Sequence, residues 1–366
     1  MTPEDRVKTV AALGFTERQA RFLVLVMRHA GICVPRQYAA FAGTAYGRRV
    51  NVLFERLVER GYATICGCLH NRARLYHVCH HALYRAIGEP HSRYRRPVPA
   101  ACVSDRLILL DGMLTSPDTT WLATAAEKGH YLTSLWPSIL AEALPHVTVG
   151  DGPSRAIRLF PDRLPVGIDK AGRVVLPYLV ASVVNDDVRA FLQRHGDLLR
   201  EVPEWTVRLL FFKRVGALGA SFGEALRSEL ASPLSPTVIG ELRGYFEQCR
   251  VAAGNRASLP SDARFRRIQQ AFDAPRYRVL YRRWLADGDA ALDVVGSGAI
   301  GEKLECGAGR LECVVLPHSY RHLTPLVSRR STSQGVEDVA VRGRDSHMSS
   351  TPQFARTEDV NRSGLA

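Results

Sequence analysis

The stretch RRVNVLFERLVERGYATICGCLHNRARLYHV, residues 48–78, decides the fold of the N-terminal part of the chain. Val50, Leu53 and Leu57 recur at helical spacing, and Gly61 then stands where a left-handed residue commonly ends a helix. Beyond Gly61 the polar and apolar residues alternate with a period of two, and a second such run begins at Leu75. The stretch therefore predicts a helix over about residues 46–60 followed by a two-stranded hairpin.

Two further helices are predicted upstream of this stretch. Thr16 and Gln19 form a capping box, so a helix should begin there and end near residues 29–31. Pro35 suits the first turn of a second, short helix, which Gly43 closes. Three helices followed by a hairpin are the element order of a winged helix-turn-helix, which we expect over residues 1–90.

The positive charge of the chain is concentrated in this region. The 366 residues carry a net charge of +13, and residues 1–100 account for +10 of it, with 16 lysines and arginines against 6 acids. Nearly all of these cations are arginines, whose planar guanidinium suits phosphate groups and guanine edges. A basic module on a near-neutral body favours double-stranded DNA as its partner, although a basic surface without a ligand remains an alternative.

The third helix and the hairpin supply the candidate DNA-binding residues. In a helix-turn-helix the N-terminal part of the recognition helix faces the base edges, and the wing reaches the backbone or an adjacent groove. Guanidinium groups can read guanine and an asparagine amide can read adenine. The predicted DNA-binding residues are Tyr46, Arg48, Arg49, Asn51 and Arg56 of the helix and Asn71, Arg72 and Arg74 of the wing.

The rest of the chain predicts a multidomain protein of the α+β or α/β class. Strands rich in valine and aromatic residues, at 173–182 and 205–212, flank a helical segment at 187–200, which suggests an α/β sheet. The expected divisions are a Pro- and Arg-rich linker at 91–100, an α/β domain at 101–215, a mainly helical region at 216–327 and a disordered tail at 328–366.

Composition places the chain in an ordinary reducing, aqueous compartment. No run approaches the 18 or so apolar residues that span a bilayer, and the acidic start MTPEDRVKTV is unlike a signal peptide, so we expect a cytoplasmic protein without a membrane partner. Eight scattered cysteines are typical of free thiols rather than of a disulfide framework. The sequence pattern predicts no particular oligomeric state, and it is compatible with a homodimer.

Signatures of catalysis and cofactor binding are not found. The chain has no phosphate-binding loop, no nucleophile elbow and no zinc-protease helix, and the glycine-rich run at 296–309 resembles a flexible loop. Cys66, Cys68 and His70 alternate on the first wing strand and His77, Cys79 and His81 on the second, yet C-x-C is not the spacing of common zinc motifs. We therefore predict no catalytic residue, no metal site and no cofactor.

The segment RLFPDRLPVGIDKAGRVVLPYLVAS, residues 158–182, combines a strand ending at Pro161-Asp162 with a turn and a longer strand. Together with TERQARFLVLVMRHAGICVPRQYAAFAG and LFERLVERGYA, it resembles the replication-relaxation family of bacterial plasmid and mobile-element proteins. The resemblance covers about residues 10–215. It implies a winged helix followed by an α/β domain related to restriction-endonuclease-like nucleases.

The chain departs from that family pattern where catalysis would occur. A nuclease of this type needs a second carboxylate and a lysine on the strand after Asp162, but residues 177–182 read PYLVAS. The resemblance therefore implies a degenerate nuclease domain. We expect a non-enzymatic DNA-binding regulator, or a replication or transfer accessory protein, of a bacterial mobile element. A metal-dependent nuclease using Asp162 and a protein-interaction scaffold that does not bind DNA are the alternatives.

Overall fold

Helices dominate the N-terminal part of the structure, and three short strands complete it. The computed structural model describes residues 1–66, 74–139, 143–149, 156–181, 187–213, 216–255, 263–318 and 320. The elements here are α1 (Pro3–Ala11), α2 (Glu17–His29), β1 (Ile32–Cys33), α3 (Pro35–Ala42), α4 (Arg48–Glu59), β2 (Ala63–Cys66), β3 (Leu75–Val78) and α5 (His81–Ala86). The strands form an antiparallel sheet in the order β1-β3-β2.

Local signals account for the helix ends in this part. Thr16 and Gln19 form the predicted capping box of α2, and Pro35 occupies the first turn of α3. Gly43 ends α3 in the left-handed conformation, and Gly61 adopts the same conformation just after α4. These predictions are confirmed. The helix α1 was not predicted, although Thr2 and Asp5 give it a capping box of its own.

The central part contains most of the larger sheet. Its elements are α6 (Ala100–Leu114), β4 (Thr120–Leu122), α7 (Ala125–Leu135), β5 (His146–Val149), β6 (Ala156–Leu159), β7 (Val166–Ile168), β8 (Val174–Val180), α8 (Asp187–Arg194), α9 (Gly196–Glu201) and β9 (Trp205–Phe212). The strands β8 and β9 and the helical segment between them match the sequence expectation. β5 and β6 pair separately as an antiparallel hairpin.

The C-terminal part is helical up to its last strand. It consists of α10 (Gly219–Ala231), α11 (Pro236–Asn255), α12 (Ala263–Ala271), α13 (Pro275–Asp287), α14 (Ala290–Gly296), α15 (Ala299–Cys306) and β10 (Gly309–Leu316). β10 pairs in parallel with β9 and completes a mixed five-stranded sheet in the order β10-β9-β8-β7-β4. The expectation of a flexible loop over 296–309 is therefore wrong, because α15 occupies most of that segment. The expected α/β domain at 101–215 does not contain the whole sheet, because β10 lies at residues 309–316.

Several apolar clusters fill the interior of residues 1–325, which form one compact unit. One lies among the N-terminal helices around Phe22 and Phe54, and another surrounds Trp205 on the five-stranded sheet. A third cluster contains Ile32 of β1 together with Leu210 of β9. The structure is thus a mixed α+β arrangement. The predicted tail at 328–366 lies outside the described residues.

Within the described part of the chain, no helix is both long and apolar enough to cross a membrane.

Candidate nucleic-acid interface

Helix α4 presents a polar surface opposite a wholly apolar one. Val50, Leu53, Phe54 and Leu57 are buried in the N-terminal core, so they fix the orientation of the helix. Gly47 precedes the helix and offers no side-chain cap, which leaves the first-turn N–H groups without a side-chain acceptor. Arg48 and Arg49 are both exposed in that first turn.

The polar residues of α4 are spread around much of the helix circumference and do not share a single face. Arg48 points directly away from the core. Because successive helical residues are about 100° apart, Arg49 and Asn51 project to opposite sides of Arg48 around the helix axis. The outward face through Arg48 also carries Val52, 48% exposed, and the exposed acids Glu55 and Glu59. On this outward face, positive charge is therefore confined to the first turn of α4.

Arg56 is held against the protein. Its guanidinium donates a 2.6 Å hydrogen bond to Oε1 of Gln19 and lies 5.3 Å from the centre of the Phe15 ring. Both partners belong to the start of α2 or the turn before it. Arg56, which the sequence predicts as a DNA contact, thus turns back along the flank of α4 and does not point outward with Arg48.

The other predicted contact residues lie outside α4. Tyr46 is 61% exposed and precedes the helix, which begins two residues later than expected. Arg74 is exposed directly before β3, at the end of the strand where Leu75 pairs with Cys66. Asn71 and Arg72 lie outside the described residues, so only one predicted wing residue can be placed.

Unlike most arginines in the described part of the chain, Arg48, Arg49 and Arg74 have no hydrogen-bond or ion-pair partner there. Arg21 of α2, also exposed, pairs with Glu17 at 2.7 Å, and Arg28 pairs with Glu89 at 3.0 Å. An unpaired, solvated guanidinium can bind an external anion without first losing an internal partner. The two free arginines of α4 are therefore the strongest candidate ligand contacts in this module.

The Pro161-Asp162 segment has a different environment. Asp162 forms an ion pair with Arg194, and its Oδ2 is buried without a hydrogen-bond partner in the described structure. Asp162 and His195 line a small pocket, and burial lowers the pKa of His195 to about 4. Burial raises the pKa of Tyr178 on β8, and the carboxylates of Asp187 and Asp162 raise it further. Two acids thus lie near Tyr178, although β8 itself carries none.

The other acids and metal-ligand candidates do not assemble around this segment. Asp169 accepts hydrogen bonds of 2.9 Å from the backbone amides of Ala171 and Arg173, so it closes its own turn. Across the part of the chain that the structure describes, no three His, Cys, Asp or Glu side chains form a metal-binding group. In the predicted wing, Cys68 and His70 lie outside that part, while His77 is hydrogen-bonded through Nε2 to the Tyr94 carbonyl at 2.9 Å.

The predicted linker proves to be ordered and to carry exposed charge. Residues Arg93–Arg95 form a turn of 3-10 helix, and the Tyr94 backbone packs closely against Gly31 at the end of α2. Arg93 remains exposed beside this anchor. Sequence reasoning missed the site because proline and arginine are typical of linkers, although the interleaved RYRR at 93–96 was an available signal.

Comparison with protein-family models, with curated proteins and with solved structures gave no match for this chain.

Proposed function

We propose that the chain is a non-enzymatic protein that binds double-stranded DNA through residues 1–90, with α4 as the recognition helix. The observation that carries this proposal is the pair of exposed arginines, Arg48 and Arg49, in the first turn of α4, neither of which has a partner among the residues that the structure describes. Two guanidinium groups there can donate to guanine edges or to phosphates.

The element order supports a winged helix-turn-helix. The helices α2, α3 and α4 precede the antiparallel hairpin of β2 and β3, and β1 adds a third strand beside β3. In such modules the third helix enters the major groove and the connection between the last two strands is the wing. Arg74 belongs to that connection and is exposed, which supports a contact with the DNA backbone.

The resemblance to replication-relaxation proteins supplies the cellular context of the proposal. It suggests a regulator, or an accessory protein of replication or transfer, in the cytoplasm of a bacterium that carries a plasmid or another mobile element. The excess of +10 in the first hundred residues agrees with a nucleic-acid partner, since a basic face attracts DNA at long range.

A fluorescence anisotropy titration with the full chain tests the proposal. Labelled random duplex DNA is titrated at several salt concentrations, and an Arg48→Gln/Arg49→Gln variant is compared with an Arg21→Gln control. Arg21 is exposed but already paired with Glu17, so its loss should hardly matter. On random duplex the double variant should bind more weakly because it loses phosphate contacts, and the slope of log K against log salt should shrink by about 1.8 if each arginine meets one phosphate.

The outcomes separate this function from the scaffold alternative. Salt-sensitive binding that the double variant weakens and the control retains supports the proposal. Absence of binding at low salt would refute it and favour a protein-interaction role. A loss in the control about half as large as that in the double variant would mean an equal effect per arginine, and would assign binding to overall charge rather than to α4.

A further inference from the structure

Three arginines outside the N-terminal helices converge around the turn that follows β6. Arg93 belongs to the 3-10 turn before α6, Arg158 to β6, and Arg163 to the turn after it. Nη2 of Arg93 lies 3.4 Å from the carbonyl oxygen of Arg163, and its guanidinium stacks 4.7 Å from the centre of the Tyr94 ring. All three arginines are exposed, and we call them the hairpin patch.

The turn that carries Arg163 is held in an unusual backbone conformation. Phe160 and Arg163 have φ angles of 47° and 55°, the left-handed region that side-chain-bearing residues rarely occupy. Phe160 is buried and its N–H donates to the Pro145 carbonyl at 2.6 Å, and the Arg163 N–H donates to the Phe160 carbonyl at 3.1 Å. Backbone strain maintained by such anchors is frequent at ligand-binding positions.

The acids near the hairpin patch are committed to other arginines. Asp162 pairs with Arg194, and Glu127 pairs with Arg6 at 3.2 Å and with Arg28. No member of the patch forms an ion pair with a carboxylate of the described chain.

The charge therefore remains uncompensated at the surface. The pKa of Arg163 is lowered, by partial burial first and then by the charges of Arg158 and Arg93. Burial lowers the pKa of nearby Lys128 to about 8, with Arg93 as the next cause. These shifts indicate mutual repulsion among the cations, which a bound anion would relieve.

We infer that Arg93, Arg158 and Arg163 form a second contact surface for the phosphate backbone of duplex DNA, independent of α4. Three exposed guanidinium groups from separate elements suit successive phosphates better than a single small anion. This inference rests on the proposed DNA-binding function. Because the patch is built on a turn and a strand rather than on a groove-entering helix, its contacts carry charge and not sequence information.

The test compares the salt dependence of duplex binding by the full chain and an Arg93→Gln/Arg158→Gln/Arg163→Asn variant. Asparagine is chosen at position 163 because it tolerates a positive φ angle. Arg250→Gln is the control, since Arg250 is exposed but pairs with Glu247 at 2.7 Å. If each arginine meets one phosphate, the slope of log K against log salt should shrink by about 2.7 in the triple variant.

A single Arg158→Gln variant guards against an effect of misfolding. Arg158 is exposed and forms no hydrogen bond or ion pair within the described structure, so its loss should leave the unfolding transition almost unchanged. Its salt slope should shrink by about 0.9.

The outcomes distinguish this inference from the proposed function. A triple variant with a wild-type slope, alongside an Arg48→Gln/Arg49→Gln variant that binds weakly, would overturn the hairpin patch and leave the function intact. A wild-type chain that does not bind DNA would overturn both. Weakening confined to one DNA sequence would assign base reading to the patch and overturn its role as a backbone contact.

Discussion

The side-chain amide of Gln37 donates a hydrogen bond of 2.8 Å to Oδ1 of Asp111, and this bond joins α3 to α6 in the interior. The same amide donates to the Leu107 carbonyl at 2.8 Å, while Oε1 of Gln37 accepts from the Val34 amide at 3.1 Å. Oδ2 of Asp111 accepts from Arg36 at 3.1 Å and from the Tyr320 hydroxyl at 2.6 Å. Helix α3 is thus tied to residues far along the chain by a single carboxylate.

An Asp111→Ala exchange should lower the free energy of unfolding by about 2–4 kcal/mol, because it leaves buried donors without an acceptor. Urea denaturation measures the change. Asp118→Ala is the matched control, since Asp118 is 63% exposed and pairs only with exposed Lys170, so its loss should cost less than about 0.5 kcal/mol. Equal losses in the two variants would contradict the structural role of Asp111.

Replacing Gly31 with alanine should destabilise the protein more than the same change at Gly61. Both glycines have positive φ angles, 71° and 66°, so each substitution strains the backbone by about 1–2 kcal/mol. A Cβ atom at position 31 would lie 2.6 Å from the Tyr94 carbonyl oxygen, whereas nothing lies within 4 Å of one at position 61. We expect Gly31→Ala to cost about 1–3 kcal/mol more, measured by chemical denaturation. Similar costs would mean that the 93–95 turn moves freely.

Stability should fall in mild acid through His195. Burial lowers the pKa of His195 from 6.5 to about 4, so the unfolded chain binds more protons between these values. The stability contributed by neutral His195 is complete above about pH 6.5 and is lost as the pH falls toward 4, amounting to about 2 kcal/mol lost at pH 5.

A His195→Phe variant isolates this contribution. Urea titrations at pH 7.5 and pH 5 should show a drop in unfolding free energy about 2 kcal/mol smaller in the variant than in the wild type. His29 and His77 also have lowered pKa values, mainly because they are buried, and they contribute equally to both proteins. A His130→Gln control at an exposed position should keep the wild-type drop. An unchanged drop in His195→Phe would count against the prediction.

Arg74→Gln should weaken DNA binding by the same factor for every duplex sequence. A backbone contact contributes no base discrimination, and its loss should flatten the salt slope by about 1. Anisotropy titrations on several unrelated duplexes measure both quantities. A loss that differs strongly between sequences would instead place Arg74 in a groove.

Asp162→Asn should lower stability and leave any bound DNA intact. The exchange removes the ion pair with Arg194, whose side chain is 29% exposed, so we expect a cost of about 1–2 kcal/mol. Plasmid DNA incubated with magnesium should remain uncut by both proteins. Cleavage by the wild type that disappears in Asp162→Asn and in Asp187→Asn would establish the nuclease alternative, with the acids beside Tyr178 as its site.

Local physical chemistry made part of this fold predictable. The Thr16 capping box, the proline that opens α3 and the glycine after α4 act within one helical turn, so the printed residues suffice to locate these ends. The apolar runs of β8 and β9 are equally local. The exposure of Arg48 and Arg49 follows from the spacing of the buried residues on the same helix.

Contacts between residues far apart in the sequence depend on how the whole chain packs. β10 pairs with β9 after a long helical excursion, and its own residues give no sign of that partner. Arg56 turns to Gln19, and the 91–100 segment anchors on Gly31, because folding brings those groups within reach. Helix and strand propensity and the abundance of arginine can thus be read from the residues alone. Which arginines stay unpaired depends on where the acidic side chains lie in the folded protein. Those positions follow from packing and cannot be read from the sequence.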